Sequence, residues 1–415
     1  MSEVLIVGAG AAGLVCAQEL ESAGIDWQIV EASDGVGGRV RSDLVDGYIL
    51  DRGFQILLTA YPQVNLRLDV QKLALGKFEP GAVIRYRGAF HGFADPLRRP
   101  AGIAATLANP AAGPVDKLRA GLLGADVRGH SARALLHRPD KSTEERLRSA
   151  GMSRRFIDSF WRPFFGGIQL DPGLEGSARM FDVTLRMLAI GETGLPREGI
   201  GAITRDLAEP LDPSRIRLGA KVRELEPGAA KLDSGERIAA RGIVIAADGP
   251  GAAELLGGRI DDPGSRAAGC LWFAAPCAPR SGPFLMLEGE GNGPALNVVV
   301  MSEVQPTYAP PGRALIAAAV PGPRAHERGL EQEVGRQLAG WFGAESAEFE
   351  LIRRDLVVHG QPSIGPPLNA RRRVRLGDGL YVCGDHRDTP SLQGAMFSGE
   401  RAAAAVLEDL RGARH

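Results

Sequence analysis

Lysine is scarce in this chain: six of the 49 basic residues are lysines, and none follows Lys231. The split carries the mark of genomic bias, but the positions of the six bear on chemistry below. Cysteine is scarce as well. Cys16, Cys270, Cys277 and Cys383 form no C-x-x-C pair. That excludes a disulfide framework or zinc site and fits a reduced, cytoplasmic setting. No apolar run approaches 18 residues, which excludes a bilayer-spanning helix. Met1-Ser2-Glu3 leads straight into Val4-Leu5-Ile6-Val7, too short for a leader h-region, so no signal peptide is expected. Excess charge of one sign is missing too. With 49 basic and 50 acidic residues, no global field draws the chain to nucleic acid. What is abundant is glycine, 55 residues, with 28 prolines and no fixed period, the mark of tight turns and close backbone approaches. At 415 residues, 44% hydrophobic and 24% charged, the chain predicts two or three globular domains.

The first forty residues carry the sharpest signal. Val4 to Val7 reads as a buried parallel strand. Gly8-Ala9-Gly10-Ala11-Ala12-Gly13 follows at once, then Leu14, Val15, Ala17 and Leu20 at helical spacing until Gly24. A second strand, Trp27 to Val30, ends at Glu31. Gly8 permits the tight turn, Gly10 lets backbone approach a pyrophosphate, and Gly13 lets helix and strand pack closely. The helix N-terminus offers N–H groups to phosphate, and Glu31 suits ribose hydroxyls. This is a dinucleotide site. A second glycine pair, Gly37-Gly38, followed by Arg39, allows a further approach to phosphate that a plain NAD-binding half does not need.

With Asp51-Arg52-Gly53-Phe54-Gln55 added, these motifs resemble the FAD-dependent amine oxidase superfamily. That group includes amine oxidases, protoporphyrinogen oxidases and phytoene-desaturase-type enzymes. The far end agrees. Leu380-Tyr381-Val382-Cys383-Gly384-Asp385 is an apolar strand ending in Gly-Asp, and Ser391-Leu392-Gln393-Gly394-Ala395 opens a helix. The resemblance implies non-covalent FAD. It would be held by Gly8, Gly10, Ala12, Gly13, Glu31, Ala32, Gly37, Gly38, Arg39, Gly53, Phe54, Gln55, Val222, Ala246, Gly384, Asp385, Leu392, Gln393 and Ala395. It also implies the fold class: α/β, with a Rossmann-like FAD-binding domain on a parallel sheet, discontinuous in sequence, and an α+β substrate-binding domain. The FAD domain is expected over 1–78, 205–255 and 372–415, the substrate domain over 79–204 and 256–371.

In the middle of the chain, Arg215 to Leu225 and Ile243 to Asp248 read as further strands of the FAD domain, with an unrelated β-meander as the plain alternative. Ser142-Thr143-Glu144-Glu145 is a capping box. Phe156, Ile157, Phe160, Trp161, Phe164 and Phe165 line one helix face, read first as core and second as a cavity wall; Pro163 should kink or end that helix. Ala295 to Met301 and Ala314 to Val320 read as strands. From Pro96 to Lys141, eight Lys/Arg stand against three Asp. The plain reading is a solvated face, and the alternative is peripheral membrane contact through 96–141.

Flavin chemistry moves hydride or electrons, with the protein supplying orientation and exclusion. No second strand–Gly-x-Gly-x-x-Gly–helix unit is present, so an external acceptor, oxygen or a quinone, must reoxidise the flavin. Amine oxidases of the superfamily place a Lys near the flavin from the second insert, and an aromatic at the position of Ser391. This chain lacks both, which leans it to the desaturase and protoporphyrinogen-oxidase side. The expectation is dehydrogenation of an apolar or amphipathic small molecule. An amine oxidase with an unusual site, a non-redox lipid or prenyl carrier of the same fold, and a flavin-dependent isomerase are the alternatives. Catalytic candidates are Gln55, His359 and His386, with structural hydrogen bonding the plain reading of each histidine. His130, His137, His326 and His415 sit in polar surroundings, and His91 is unplaced.

Overall fold

The computed structural model describes residues 3–279 and 281–412; His415 lies outside them. The run Val4–Val7 forms the middle of a six-stranded sheet, and all four side chains are buried. Trp27–Val30 and Gly242–Ile245 pair with it in parallel on either side, Val4 standing opposite Trp27 and Gly242. Ile216–Arg217 extends one edge and Leu380–Val382 the other, both in parallel, and Arg375–Gly377 closes that edge antiparallel. Strands covered on both faces must be apolar throughout, which is why these segments do not alternate.

On one face lie the helices Ala11–Ser22 and Leu392–Gly412, the two ends of the chain. They touch through backbone: a Cβ on Gly399 would stand 2.2 Å from the Ala12 carbonyl oxygen. Leu14, Leu20, Ala402 and Val406 fill the layer beneath. Ile200, Ile203 and Leu207 join the same core, so residues ahead of the expected boundary at 205 pack with the first domain. On the other face sits a three-stranded meander, Val222–Glu226, Ala229–Leu232 and Arg237–Ala239, which covers Leu5, Val7 and Ile243. The stretch 215–225 therefore splits between two sheets, one short strand in each.

The two inserts share a seven-stranded sheet. Its order is Glu350–Pro362, Ser265–Ala275, Ala314–Pro321, Asn297–Val300, Leu285–Glu288, Gly81–Tyr86 and Ala89–Ala94. Gly81–Tyr86 pairs in parallel with Leu285–Glu288, which ties the first insert to the second. Helices cover this sheet. Ser142 caps Thr143–Ser149 through its hydroxyl, with Glu145 reciprocating. The aromatic stripe is helical from Arg154 to Ile168, but Ile157–Trp161 is a π turn directly ahead of Pro163. The proline has no N–H to give the preceding turn and its ring crowds it, and the widened turn takes up that mismatch without ending the helix. Phe156, Phe165, Phe181 and Trp272 make the buried core between helices and sheet.

Candidate active site

The first glycine turn is built by close approach. Gly8 has φ +112°, and a Cβ there would meet the Ala246 carbonyl oxygen at 2.8 Å. A Cβ on Gly13 would stand 2.1 Å from the Gly8 oxygen. Gly10 differs: nothing lies within 4 Å of where its Cβ would be. That position faces open space, at the start of a helix with no side-chain cap and no acid in its first turn. Its leading N–H groups and positive dipole end are free for an anion. Glu31 closes the second strand. Its Oε2 accepts from the Ala9 N–H and its Oε1 from the Ser33 N–H, both at 2.8 Å, which holds the carboxylate at the cavity wall.

The second glycine turn docks on the first. The Gly37 N–H donates to the Ala9 carbonyl at 2.8 Å, and a Cβ on Gly38 would lie 3.5 Å from the Gly10 Cα. Arg39 then reaches the far end of the chain. Its Nη2 donates to Asp385 Oδ1 and its Nη1 to the Gly360 carbonyl, each at 2.8 Å. Gly384, at φ +140°, donates its N–H to Ser398 Oγ. Both glycine turns, Glu31, Arg39 and Asp385 border one continuous cavity of about 1070 Å³. That is the upper limit of ordinary ligand pockets, which run to about 1,000 Å³. The uncapped helix N-terminus and the second glycine turn, with open space at Gly10, offer N–H donors that fit a dinucleotide diphosphate, and the acid past the second strand is an acceptor that fits ribose hydroxyls.

Of the residues expected to hold the cofactor, Ala12, Ala32, Gly53, Phe54, Gln55, Val222, Ala246, Leu392 and Ala395 also line this cavity. Gly13 does not; it permits the helix–strand contact. Gln393 is a correction: its side chain turns away, and its Oε1 accepts the Gln63 N–H at 2.8 Å. Leading its helix with small and apolar neighbours, it has a partner on the adjacent helix. Gln55 lines the cavity with its amide nitrogen already used, on the Arg39 and Arg52 carbonyls at 2.9 and 3.1 Å.

Of the two candidate bases, His359 borders the cavity and His386 does not. His386 is 1% exposed and outside the lining, and neither ring nitrogen has a partner among the described residues. Burial pushes its pKa down to about 4, so the ring is neutral at pH 7. His359 is exposed on the rim, its Nδ1 2.7 Å from Ser265 Oγ. Among the described residues, no cysteine borders the cavity. Cys383 is buried behind it, and burial pushes its thiol up to about 12.

Leu58, Tyr61, Phe164, Ile168, Met180 and Leu368 give the same cavity an apolar stretch of wall. Phe164 is the member of the aromatic stripe that reaches it; Phe156, Phe160, Trp161 and Phe165 pack in the core. Lys221 borders the cavity beside Val222. Tyr61 was not foreseen. It is buried, which pushes its phenol upward, and its hydroxyl lies toward Thr184 and Ser391. No local motif marks it, because Tyr61, Thr184 and Ser391 come from three distant segments. Asp355 is paired with Arg353 at 2.8 Å, and Asp171 with Arg266 at 3.2 Å.

The family model for flavin-containing amine oxidoreductases matches residues 11–407. Short stretches resemble curated proteins: 66 residues are 41% identical to protoporphyrinogen oxidase 2 of Arabidopsis thaliana, and 85 residues are 40% identical to putrescine oxidase of Kocuria rosea. These matches span 16% and 20% of this chain, and 13% and 16% of those relatives' lengths. Over the whole chain, the crystal structure of an oxidoreductase from Methanosarcina mazei shares the fold, with a TM-score of 0.72 at 17% identity, covering 98% of this chain and 99% of that one.

Proposed function

The chain belongs to the flavin-containing amine oxidoreductases, an FAD-dependent oxidoreductase, and from that premise we propose that it dehydrogenates an apolar or amphipathic small molecule. FAD held across the two glycine turns supplies the two-electron acceptor for the substrate's hydride. The observation that carries the substrate class is the apolar stretch of cavity wall formed by Leu58, Tyr61, Phe164, Ile168, Met180 and Leu368, with serine at position 391 and Asp355 already paired with Arg353.

The residues divide the work. Arg39 and Asp385 hold the two chain ends against the cofactor, and Glu31 takes the ribose. Phe164, Ile168 and Met180 exclude water and press the substrate's reacting carbon towards Gln55. With His386 buried and His359 on the rim, neither histidine is in contact, and the proton lost beside the hydride would pass to water at the cavity mouth. An external acceptor, oxygen or a quinone, then takes the electrons.

Anaerobic titration of the purified, visibly yellow protein tests this. Polyene or porphyrinogen compounds are expected to bleach the flavin absorbance, and an amine panel to leave it. Rapid bleaching by putrescine or another polyamine, with none by the apolar compounds, overturns the reading in favour of an amine oxidase. A chain purified without flavin overturns it in favour of a carrier.

Delivery of such a substrate suits a lipid surface. The helix Ile103–Ala108 buries no residue. Leu97, Leu107, Val115, Leu118 and Leu122 are 55–73% exposed, and Val115, Leu118 and Leu122 share a face of Pro114–Gly129. With Arg98, Lys117 and Arg119 on the same stretch, the surface suits an anionic bilayer, apolar side chains entering and cations at the headgroups. Flotation with phosphatidylglycerol-containing vesicles is the check. Leu118→Ser/Leu122→Ser should abolish it, whereas dimerisation without flotation overturns the lipid assignment.

A further inference from the structure

We propose that the segment 363–370 is a strap that opens to admit substrate to the cavity, and that Asp140 and Arg179 are the positioning residues that latch it shut. The inference rests on the apolar stretch of wall being the substrate site and adds how that site is reached.

The strap joins the strand Glu350–Pro362 to the edge strand Arg375–Gly377. Ile364 and Leu368 are buried and line the cavity, while Ser363, Gly365 to Pro367 and Asn369 are exposed. The wall is therefore one chain thick here. On its inner side Ile364 and Leu368 pack with Met180 and Leu136 in a small cluster apart from the larger cores. Pro366 and Pro367 have no N–H to give a sheet ladder, and their fixed φ stiffens the centre of the strap. Gly365 puts a soft residue beside that centre, with nothing within 4 Å of where its Cβ would be.

Both ends of the strap are held. Ahead of it, the Gly360 carbonyl accepts from Arg39 Nη1 at 2.8 Å, and Gln361 Nε2 donates to the Ile168 carbonyl at 2.7 Å. Behind it, Arg401 Nη2 donates to the Arg372 carbonyl at 2.6 Å and Arg387 Nε to the Arg373 carbonyl at 3.1 Å. Between Gly365 and Ala370, every hydrogen bond among the described residues runs through the backbone of Leu368. Its N–H donates to Asp140 Oδ2 at 2.6 Å, and its carbonyl accepts from Arg179 Nη1 at 3.0 Å. Asp140 is itself fixed at the start of the helix Ala178–Ile190, where it accepts from the Ser177 hydroxyl and the Arg179 N–H. Arg179 Nε donates to the Arg138 carbonyl at 2.6 Å. Both latch bonds have a charged partner and are the stronger kind, yet they meet on one residue and no ladder backs them. Breaking them frees the whole centre of the strap, and segments tied this lightly are the ones that open locally and serve as lids. Because the latch grips backbone, the side chain at 368 is left to form the wall.

Thiol labelling of the FAD-loaded protein tests this. Leu368→Cys in a Cys277→Ser background places a reporter on the cavity side of the strap without touching the latch, while Cys16, Cys270 and Cys383 stay buried. Dithiobis(nitrobenzoate) is expected to label position 368 at least tenfold faster once Asp140→Ala or Arg179→Met is added, with the three buried cysteines still slow. Asp140→Asn keeps an acceptor for the Leu368 N–H and should label several-fold more slowly than Asp140→Ala. Unchanged labelling in folded variants overturns the inference. So does joint labelling of all four thiols, which marks a loosening of the whole fold. If Asp140→Ala fails to fold, Arg179→Met decides. Labelling does not depend on the identity of the substrate. A thiol that follows the latch in a protein no apolar compound bleaches leaves the strap standing and refutes the proposed function; a protein bleached by apolar compounds whose thiol ignores the latch refutes the strap alone.

Discussion

Arg39 and Asp385 are 346 positions apart in the chain and 2.8 Å apart in the fold. The aspartate is almost fully buried, while the arginine stays partly open and also holds the Gly360 carbonyl. This contact closes the first glycine turns against the end of the last parallel strand. Substituting Asp385→Ala leaves a guanidinium without its partner in a half-buried site, which costs about 3 kcal/mol or more. The expected outcome is a lower melting temperature and at least a hundredfold weaker FAD binding, read by thermal unfolding and by flavin fluorescence on ultrafiltration. Unchanged FAD retention would show that the pair is dispensable.

The three glycines of the first turn should separate folding from cofactor binding. Gly13→Ala places a methyl 2.1 Å from a backbone oxygen and should destabilise the fold itself. Gly10→Ala meets no protein atom within 4 Å and has an ordinary extended backbone, φ −74° and ψ 175°. It should leave the melting temperature of the flavin-free protein nearly unchanged while abolishing FAD binding, because the methyl occupies the space the diphosphate needs. Calorimetry of both apoproteins and the yellow colour of both preparations are the readouts.

Asp51 predicts a pH dependence. It is fully buried, with Oδ1 accepting from Ser42 Oγ and the Ile200 N–H, and Oδ2 from the Tyr308 hydroxyl, which ties the first hairpin to the second insert. Burial pushes its pKa up to about 6, and the donors only partly oppose this. The folded protein binds the proton more tightly than the unfolded chain. The stabilisation is full below about pH 4 and is lost as pH rises through about 6, amounting to about 3 kcal/mol in all. Asp51→Asn keeps an acceptor for Ser42 and Ile200 without the charge. Its urea midpoint relative to wild type should rise between pH 4 and pH 7; a constant difference would refute the assignment.

His386 should act in the opposite sense. Its folded pKa is depressed to about 4 by burial, so the unfolded chain binds the proton more tightly. Stability from this group is present above pH 6.5 and falls as pH drops towards 4. The ring signals of His386 in a nitrogen-15 histidine spectrum should remain those of a neutral imidazole from pH 8 to pH 5. Substitution His359→Ala, by contrast, removes a rim side chain and should change the rate of substrate-driven bleaching by less than about threefold. A loss of a hundredfold or more would make His359 a catalytic base after all.

The glycine turns and the Gly384-Asp385 segment that border the cavity were legible because their signals are local. Strand, glycine turn, helix and acid each need particular residue types within a few positions, and Gly8 to Gly13 and Gly384-Asp385 supply them. The misplacements fall where context outranks type. Gln393 stands in the right motif but finds a partner in Gln63, and His386 follows the right aspartate but points into packed protein.

What the amino-acid order determined alone is the pair of glycine turns, the apolar parallel strands and the absence of a lysine after Lys231. These follow from backbone freedom and hydrophobic period, which act over a few residues. What the tertiary structure decided is which surfaces meet. Tyr61 with Ser391, and Arg39 with Asp385, come from segments far apart, and the register that joins them is set by helices and sheets burying their apolar faces against each other. No spacing in the chain encodes that register, because it is fixed by the shape of the whole packed core.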